Sequence, residues 1–402
     1  MRIVHFSTTP LAGAPLRLVQ ALRTHTDHDV RLVDLAPNLR FGEDVVFSRQ
    51  PDTALALATS ADILHLHNYL HLASRQFAPI DFAALQCNGA RVIRQFHSAP
   101  ETVMEVGGLS RGEVFDGLPS LVCAQFQERY YPEARVMPQV ILEDALRAFS
   151  TDAGPAGVFF APTNQRDIFQ RRWDTKAARE THDMLRRVCR ETRQPLHYLT
   201  DRPLQESLAG KARAAVVVDE LVTGSYHLST LEGLCLGKPV LAWLDNRTRR
   251  VLAEVAGTGA CPIVDVHLGA AAPVLRRLLC EPGEAAGVGA SARAWFDAYW
   301  SSAHVAAQYA AAYRDLVESP ERVRRQPALR LDDAATRYHA ITLPDTVHDA
   351  ARRNWWRSAP LPIRMRIGGR AVRRRVRALL EDLPVIGSWV HAALNRNTGR
   401  AS

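Results

Sequence analysis

The sequence predicts an α/β protein of two successive domains, each a doubly wound parallel sheet, followed by a basic C-terminal extension. Three observations carry this expectation. Short β-branched or aromatic runs alternate with helical patterns from Arg2 to about residue 300, the mark of βαβ units. The alternation stops at Ser150–Gly157 (STDAGPAG), whose small residues and Pro/Gly fit neither core, and then restarts. A length of 402 residues also exceeds what one hydrophobic core usually serves. The predicted boundaries are 1–150, 157–300, a closing helix over 301–319 and the extension over 320–402.

Taken in order, Arg2–Ser7 (RIVHFS) reads as a buried strand. Thr8–Pro15 (TTPLAGAP) reads as a loop with one glycine, Gly13, feeding a helix that carries Leu16, Leu18, Val19 and Leu22. Strand, small-residue loop and helix N-terminus make an anion-binding geometry, although one glycine falls short of G-x-G-x-x-G. Val30–Val33 and Val45–Phe47 read as strands and Thr53–Thr59 as a short helix. Asp62–Leu66 follows, with histidines at 65, 67 and 71. His65 and His67 alternate along a strand without a carboxylate or cysteine set, so core histidines are preferred to ligands and no metal is expected. Arg91–Phe96 ends in His97, at the carboxyl end of a strand where open α/β sheets place ligand-contacting groups. A local turn hydrogen bond is the alternative role for His97.

In the second half, Gly157–Ala161 reads as a strand and Pro162–Asp174 as a loop holding Arg166, Arg171 and Arg172. A helix is predicted from Thr175 to about Glu191, with Lys176 in its first turn. A cation there opposes the helix dipole by roughly a few tenths of a kcal/mol, which makes sense beside an anion. Leu196–Leu199 reads as a strand and Pro203–Ala209 as a short helix. Val216–Trp243 then reads as one βαβ unit. Strand Val216–Val218 and a Gly224–Ser225 turn precede a helix with Leu228, Leu231, Leu234 and Cys235 on one face. A Gly237-Lys238-Pro239 stop leads into strand Val240–Trp243. Glu232 is the single carboxylate on that helix, either a solvated surface residue or a group that hydrogen-bonds a ligand. Cys261–Val264 reads as a strand, Ala270–Leu279 as a helix, and Ala290–Trp300 with Ala303–Val317 as closing helices.

The net charge of +8 is unevenly spread. Residues 321–402 hold seventeen Arg against seven Asp/Glu, a balance of +10, so residues 1–320 sum to about −2. Within the extension, Arg373, Arg374 and Arg377 share one helical face and Val372, Val376, Leu379 and Leu380 another, while Trp355 and Trp356 lie upstream. Such a helix suits an anionic membrane surface. Packing on the protein body is the alternative, and nucleic acid is disfavoured because few aromatics interleave with the arginines. The six cysteines are scattered without C-x-x-C spacing, which argues against a disulfide framework or a metal site. No signal-peptide pattern and no apolar run of about 20 residues is present, so a cytoplasmic protein, peripheral at the membrane, is expected. Only three of the fifty basic residues are lysine (Lys176, Lys211 and Lys238), which draws attention to Lys176 at a loop-to-helix junction.

Four stretches resemble retaining nucleotide-sugar glycosyltransferases of the GT-B fold, specifically glycosyltransferase family 4. They are Thr8–Leu18, Asp62–His67 with Arg91–His97, Asn164–Lys176, and most specifically Ser225–Val240 (SYHLSTLEGLCLGKPV). Residues 292–316 look like the family's C-terminal segment, and the resemblance spans roughly residues 1–318. It implies two Rossmann-like domains facing across a cleft, with a nucleotide-sugar donor as co-substrate, no other cofactor and no metal. The second-domain motif together with the membrane-like tail points to a cell-envelope glycan or lipid-linked acceptor, and no nucleic acid partner is expected. By the same resemblance the donor is held by Gly13, the arginines at 166, 171 and 172, Lys176, Gly224, Ser225, Tyr226, Leu228, Ser229 and Glu232. Lys176 would meet the diphosphate, Glu232 the ribose hydroxyls, and His97 the donor sugar or phosphate. The family's E-x7-E pattern puts a glutamate where Gly224 stands, so Asp219 and Glu220, just upstream, are the carboxylates that would take its place. Many members also carry Gly-Arg where Thr163-Asn164 stands here, which leaves open which arginine meets the phosphates. A GT-B sugar-nucleotide epimerase and a non-catalytic glycosyltransferase-like scaffold are the competing readings.

Overall fold

The computed structural model describes residues 1–38, 40–149, 154–162, 176, 178–200 and 202–324. The predicted arginine loop (Arg166, Arg171, Arg172) and the basic helix of the extension lie outside the described residues.

The chain forms two parallel sheets. The first has seven strands: β1 (Arg2–Ser7), β2 (Asp29–Asp34), β3 (Val45–Val46), β4 (Ile63–His67), β5 (Arg91–Phe96), β6 (Ser120–Cys123) and β7 (Arg135–Met137), in spatial order β3-β2-β1-β4-β5-β6-β7. The second has five: β8 (Val158–Phe160), β9 (Leu196–Tyr198), β10 (Val216–Val218), β11 (Val240–Ala242) and β12 (Val264–Asp265), in order β12-β11-β10-β8-β9. In each sheet the order reverses beside the first strand, and ligands of open α/β sheets bind at such switch points. The two-domain doubly wound class read from the sequence is what the chain adopts. The strand predicted at Cys261–Val264 is displaced to Val264–Asp265, and the helix predicted from Thr175 begins at Ala178, so Lys176 precedes it.

Parallel strands are covered on both faces and therefore read as apolar runs. β4 departs from that rule. Its residues are all buried, yet His65 and His67 lie on one face, in register with His5 of β1 and Gln95 of β5 respectively. Leu64 and Leu66, on the opposite face, pack with Val4 and Phe6. The histidine face is covered by the helix Ser302–Glu318, which returns from the second domain. Tyr313 Oη lies 2.8 Å from His65 Nδ1 and 3.3 Å from His5 Nε2, and Gln95 Nε2 donates to Tyr309 Oη at 2.7 Å. Buried polar groups persist because they find one another here.

The domains are fastened at the base of the cleft. Glu128 and Arg247 form a buried two-pronged ion pair, 2.6 and 2.8 Å, between the Phe126–Tyr130 turn and the Asn246–Ala256 helix. Arg129 pairs with Asp245 at 2.8 Å beside it. Tyr226 Oη donates to the Ala124 carbonyl, and Trp300 Nε1 donates to the Gln139 carbonyl at 3.0 Å. An apolar cluster runs continuously from Ile3 and Ile63 through Tyr226 and Leu231 to Trp300.

Candidate active site

Between the carboxyl edges of the two sheets lies a cavity of about 530 Å³, the size of a small-molecule site. From the first domain it is lined by Leu11, Ala12, Arg17, Arg40, Phe41, His97 and Gln127 among others. From the second come Lys176, Arg202, Ser225, His227, Leu228, Ser229 and Glu232. Among the described residues four permanently cationic side chains thus face one carboxylate, a balance that favours an anionic ligand.

Glu232 is buried, 4 % exposed, on the helix Leu228–Cys235, rather than solvated. Its Oε2 accepts from Lys211 Nζ at 2.7 Å and its Oε1 from Arg17 NH2 at 3.3 Å, the latter reaching across from the first domain. Burial alone would raise its pKa, but the two cations hold the carboxyl below the usual range. Lys211 is itself 2 % exposed, on the helix Leu204–Arg213.

Lys176 donates to the Ala161 carbonyl at 3.2 Å and pairs with Asp219 Oδ1 at 2.6 Å. Asp219 follows β10 and is fully committed. Its Oδ2 accepts from the His227 backbone N–H at 2.7 Å and from Thr230 Oγ1 at 2.6 Å, capping the helix that carries Glu232. Burial opposes its ionisation, but Lys176 and His227 hold the Asp219 carboxyl well below the usual carboxylate range. Glu220 turns away into its own loop, where Oε1 accepts from the Val222 and Thr223 N–H groups at 2.7 and 3.0 Å. Burial pushes it up to about 7. Neither carboxylate lines the cavity.

His97 lines the cavity with both ring nitrogens engaged. Nε2 lies 3.0 Å from His67 Nδ1, and Nδ1 lies 3.2 Å from Cys123 Sγ. From His67 the chain of contacts runs inward to His5 at 3.0 Å, then to Tyr313 and His65. His5, His65 and His67 place one ring nitrogen each within 4.8 Å of one another. Burial drives all four histidines towards the neutral form, His5 and His97 down to about 3.

Gly13 sits beside the cavity as the N-cap of the helix Ala14–His25, with φ +80°. Gly224 also has φ +80°, and a Cβ there would stand 2.8 Å from Asp245 Cβ. Asp245 is held by Arg129 and by its backbone N–H to the Gly224 carbonyl at 3.1 Å, so it cannot retreat. The loop conformation at Gly224 thus admits only glycine, at the position where the resemblance would put a glutamate. Gly224→Glu is therefore expected to lose about 2–5 kcal/mol, from left-handed backbone strain plus overpacking, measurable as a fall in Tm. Ser225 Oγ accepts from the Phe126 N–H at 3.3 Å, and Tyr226 is wholly buried in the domain interface.

The ionisable cleft residues not anticipated from sequence, among those described, are Arg17, Arg40, Arg202 and His227, with Lys211 behind them. Arg17 and His227 lie inside stretches already singled out, and Lys211 is one of only three lysines. What was missing was the information that the chain folds them towards one another.

No protein-family model matches the sequence, and no curated protein matches it. Solved structures do. An alpha-glucosyltransferase in complex with UDP and a 13-mer DNA containing a HMU base matches at TM-score 0.52 and 12 % identity, covering 79 % of this chain and 100 % of that one. The same comparison with an alpha-glucosyltransferase bound to UDP and DNA with a central A:G mismatch gives TM-score 0.53, 12 % identity, and coverage of 79 % and 99 %. The Anabaena protein Alr3699/HepE, in complex with UDP and glucose, matches at TM-score 0.50 and 12 % identity, covering 78 % and 100 %. With its two parallel sheets facing across this cleft, the chain has the GT-B glycosyltransferase fold.

Proposed function

We propose that the chain is a glycosyltransferase. It moves a hexose-type sugar from a UDP or GDP donor to a cell-envelope glycan or lipid-linked acceptor, with retention and without a metal. The observation that carries this is Glu232, one carboxylate among cations in a cleft between two GT-B domains. A carboxylate so placed can accept hydrogen bonds from two ribose hydroxyls, and the cations around it suit a diphosphate. That neighbours of the same fold bind UDP supports the donor class.

Departure of a nucleoside diphosphate develops negative charge, which Lys176 and the amides opening the helix Leu228–Cys235 would stabilise in place. Arg166, Arg171 and Arg172 are proposed to join them. Asp219 fixes Lys176 and the helix start together, while Glu220 shapes the turn to Gly224. His97 is proposed to face the sugar with its ring locked by His67 and Cys123. Among the described residues no helix is long and apolar enough to cross a membrane. The extension over 320–402 is proposed to hold the enzyme on the anionic inner surface.

Calorimetric titration of UDP and GDP tests this reading. Wild type should bind one of them, and Glu232→Ala or Lys176→Ala should weaken it about tenfold or more. Equal affinity in all three proteins, or none in any, would discard the donor site. Flotation of the full chain with anionic vesicles tests the membrane part alone, and failure to float would remove it.

A further inference from the structure

His227 is the N-cap residue of the helix Leu228–Cys235, a position where Ser, Thr, Asp or Asn is the usual choice. Its imidazole makes no capping hydrogen bond; Asp219 instead takes the His227 backbone N–H, and the imidazole lines the cavity with 30 % of its side chain exposed. Asp219 Oδ1 lies 3.3 Å from His227 Nδ1 and 2.6 Å from Lys176 Nζ. One buried carboxylate therefore organises two cationic groups on the same wall of the cleft. The Ser225–Ser229 segment and Glu232, the proposed ribose-binding carboxylate, line the same cavity.

We propose that His227, as an imidazolium held by Asp219 beside Lys176, binds the terminal phosphate of the nucleoside diphosphate and steadies it as a leaving group. The inference rests on the donor reading above and adds a residue to it. When the bond between sugar C1 and the phosphate oxygen breaks, its electron pair remains on that oxygen. The imidazolium lends a charge-assisted hydrogen bond there and keeps its own proton. Lys176 alone would be a compromised cation, because Asp219 neutralises much of its charge. A second cation on the same carboxylate restores a net positive wall.

The groups that set the charge of His227 are identifiable. Burial opposes protonation, Asp219 favours it through both charge and contact, Lys176 opposes it and Glu220 favours it, with a net shift upward from 6.5. Arg17, Arg202 and Glu232 also face the cavity, and His97 does so in its neutral form. Affinity for a diphosphate should accordingly be fully present below the His227 titration and fall as pH rises through it. The phosphate itself is about nine-tenths ionised at pH 7 and more so above it, since its last pKa is about 6.

The test is the affinity of wild type, His227→Gln and His227→Lys for UDP and UMP, or for GDP and GMP if guanine is the preferred base, from pH 7 to 9. At pH 7, His227→Gln should bind the diphosphate about tenfold or more weakly and the monophosphate unchanged. Its affinity should be flat with pH where wild type declines. His227→Lys should keep diphosphate affinity up to pH 9, a rescue that a merely structural histidine would not allow. Unchanged diphosphate binding by His227→Gln, an equal loss for both nucleotides, or a pH decline that persists without the imidazole would each overturn the role of His227 while leaving the donor reading intact. Binding of neither nucleotide by wild type would overturn both.

Discussion

The stability of the folded chain is expected to fall steeply between pH 6.5 and 5. His5, His65, His67 and His97 are each driven below their ordinary value of 6.5 by burial, His5 and His97 to about 3. Across that window the unfolded chain goes from half protonating these rings to protonating nearly all four, while the fold keeps them neutral. A folded-state pKa below the unfolded one means stability complete above 6.5 and lost as pH falls towards 3. Asp34 and Glu220 act with the opposite sign. Burial pushes both up to about 7, so the folded chain holds their protons below that pH while the unfolded chain still releases them until about 4. Near pH 5, four protons against two leave a net difference of about two, or about 2.7 kcal/mol per pH unit; nearer pH 6.5, where the unfolded histidines are only half protonated and the raised His227 also counts against them, the slope is smaller. A fold worth about 5–15 kcal/mol does not survive many such units. Urea denaturation followed by circular dichroism at a series of pH values measures the slope. The double variant His65→Phe/Tyr313→Phe removes one titrating ring together with its hydroxyl partner, and should lower the slope by about one proton. A midpoint that is constant between pH 7 and 5 would refute the neutral cluster.

The same histidines mark where sequence reading succeeded and where it stopped. Alternation of His65 and His67 along an apolar run identifies a strand with a polar face, because strand periodicity is local. What covers that face is not local: Tyr309 and Tyr313 arrive from a helix more than two hundred residues away. The site divides in the same way. Val216–Val218, Gly224, Glu232 and the second strand were legible because a βαβ unit is built from consecutive residues. Asp219 was legible as an acidic group near the motif, but its partners are Lys176 and His227, and no spacing rule joins those three. Gly224 is the sharper case. Its absence of a side chain was visible in sequence as a departure, whereas the reason, the closeness of Asp245 Cβ, depends on how the Asn246–Ala256 helix begins.

Lys211→Met is expected to destabilise the chain by about 3–5 kcal/mol, the usual cost of leaving one member of a buried ion pair alone. Lys211 and Glu232 are 2 % and 4 % exposed, and the pair closes at 2.7 Å. Ser207 Oγ and the Phe159 ring, 3.1 and 4.8 Å from Lys211 Nζ, complete the ammonium's surroundings. Without Lys211 the carboxylate keeps, among the described residues, the direct ion pair with Arg17, at 3.3 Å and from the other domain, and the more distant charge of Lys176. Glu232→Leu should cost a similar amount for the converse reason, since the ammonium then lies buried against an apolar helix. The double variant Lys211→Met/Glu232→Leu leaves no buried charge behind, and Arg17, 12 % exposed, can turn to the water of the cleft. It should recover most of the loss, because replacing both partners of a buried pair is often close to neutral. Nucleotide affinity separates structure from function in the same three proteins. The double variant should be stable yet bind the nucleotide about tenfold or more weakly, because the carboxylate that accepts the ribose hydroxyls is gone. Chemical denaturation supplies the stabilities and calorimetry the affinities. If the double variant loses as much stability as the sum of the singles, Lys211 and Glu232 act independently, and the lysine is not what holds the carboxylate in the cleft.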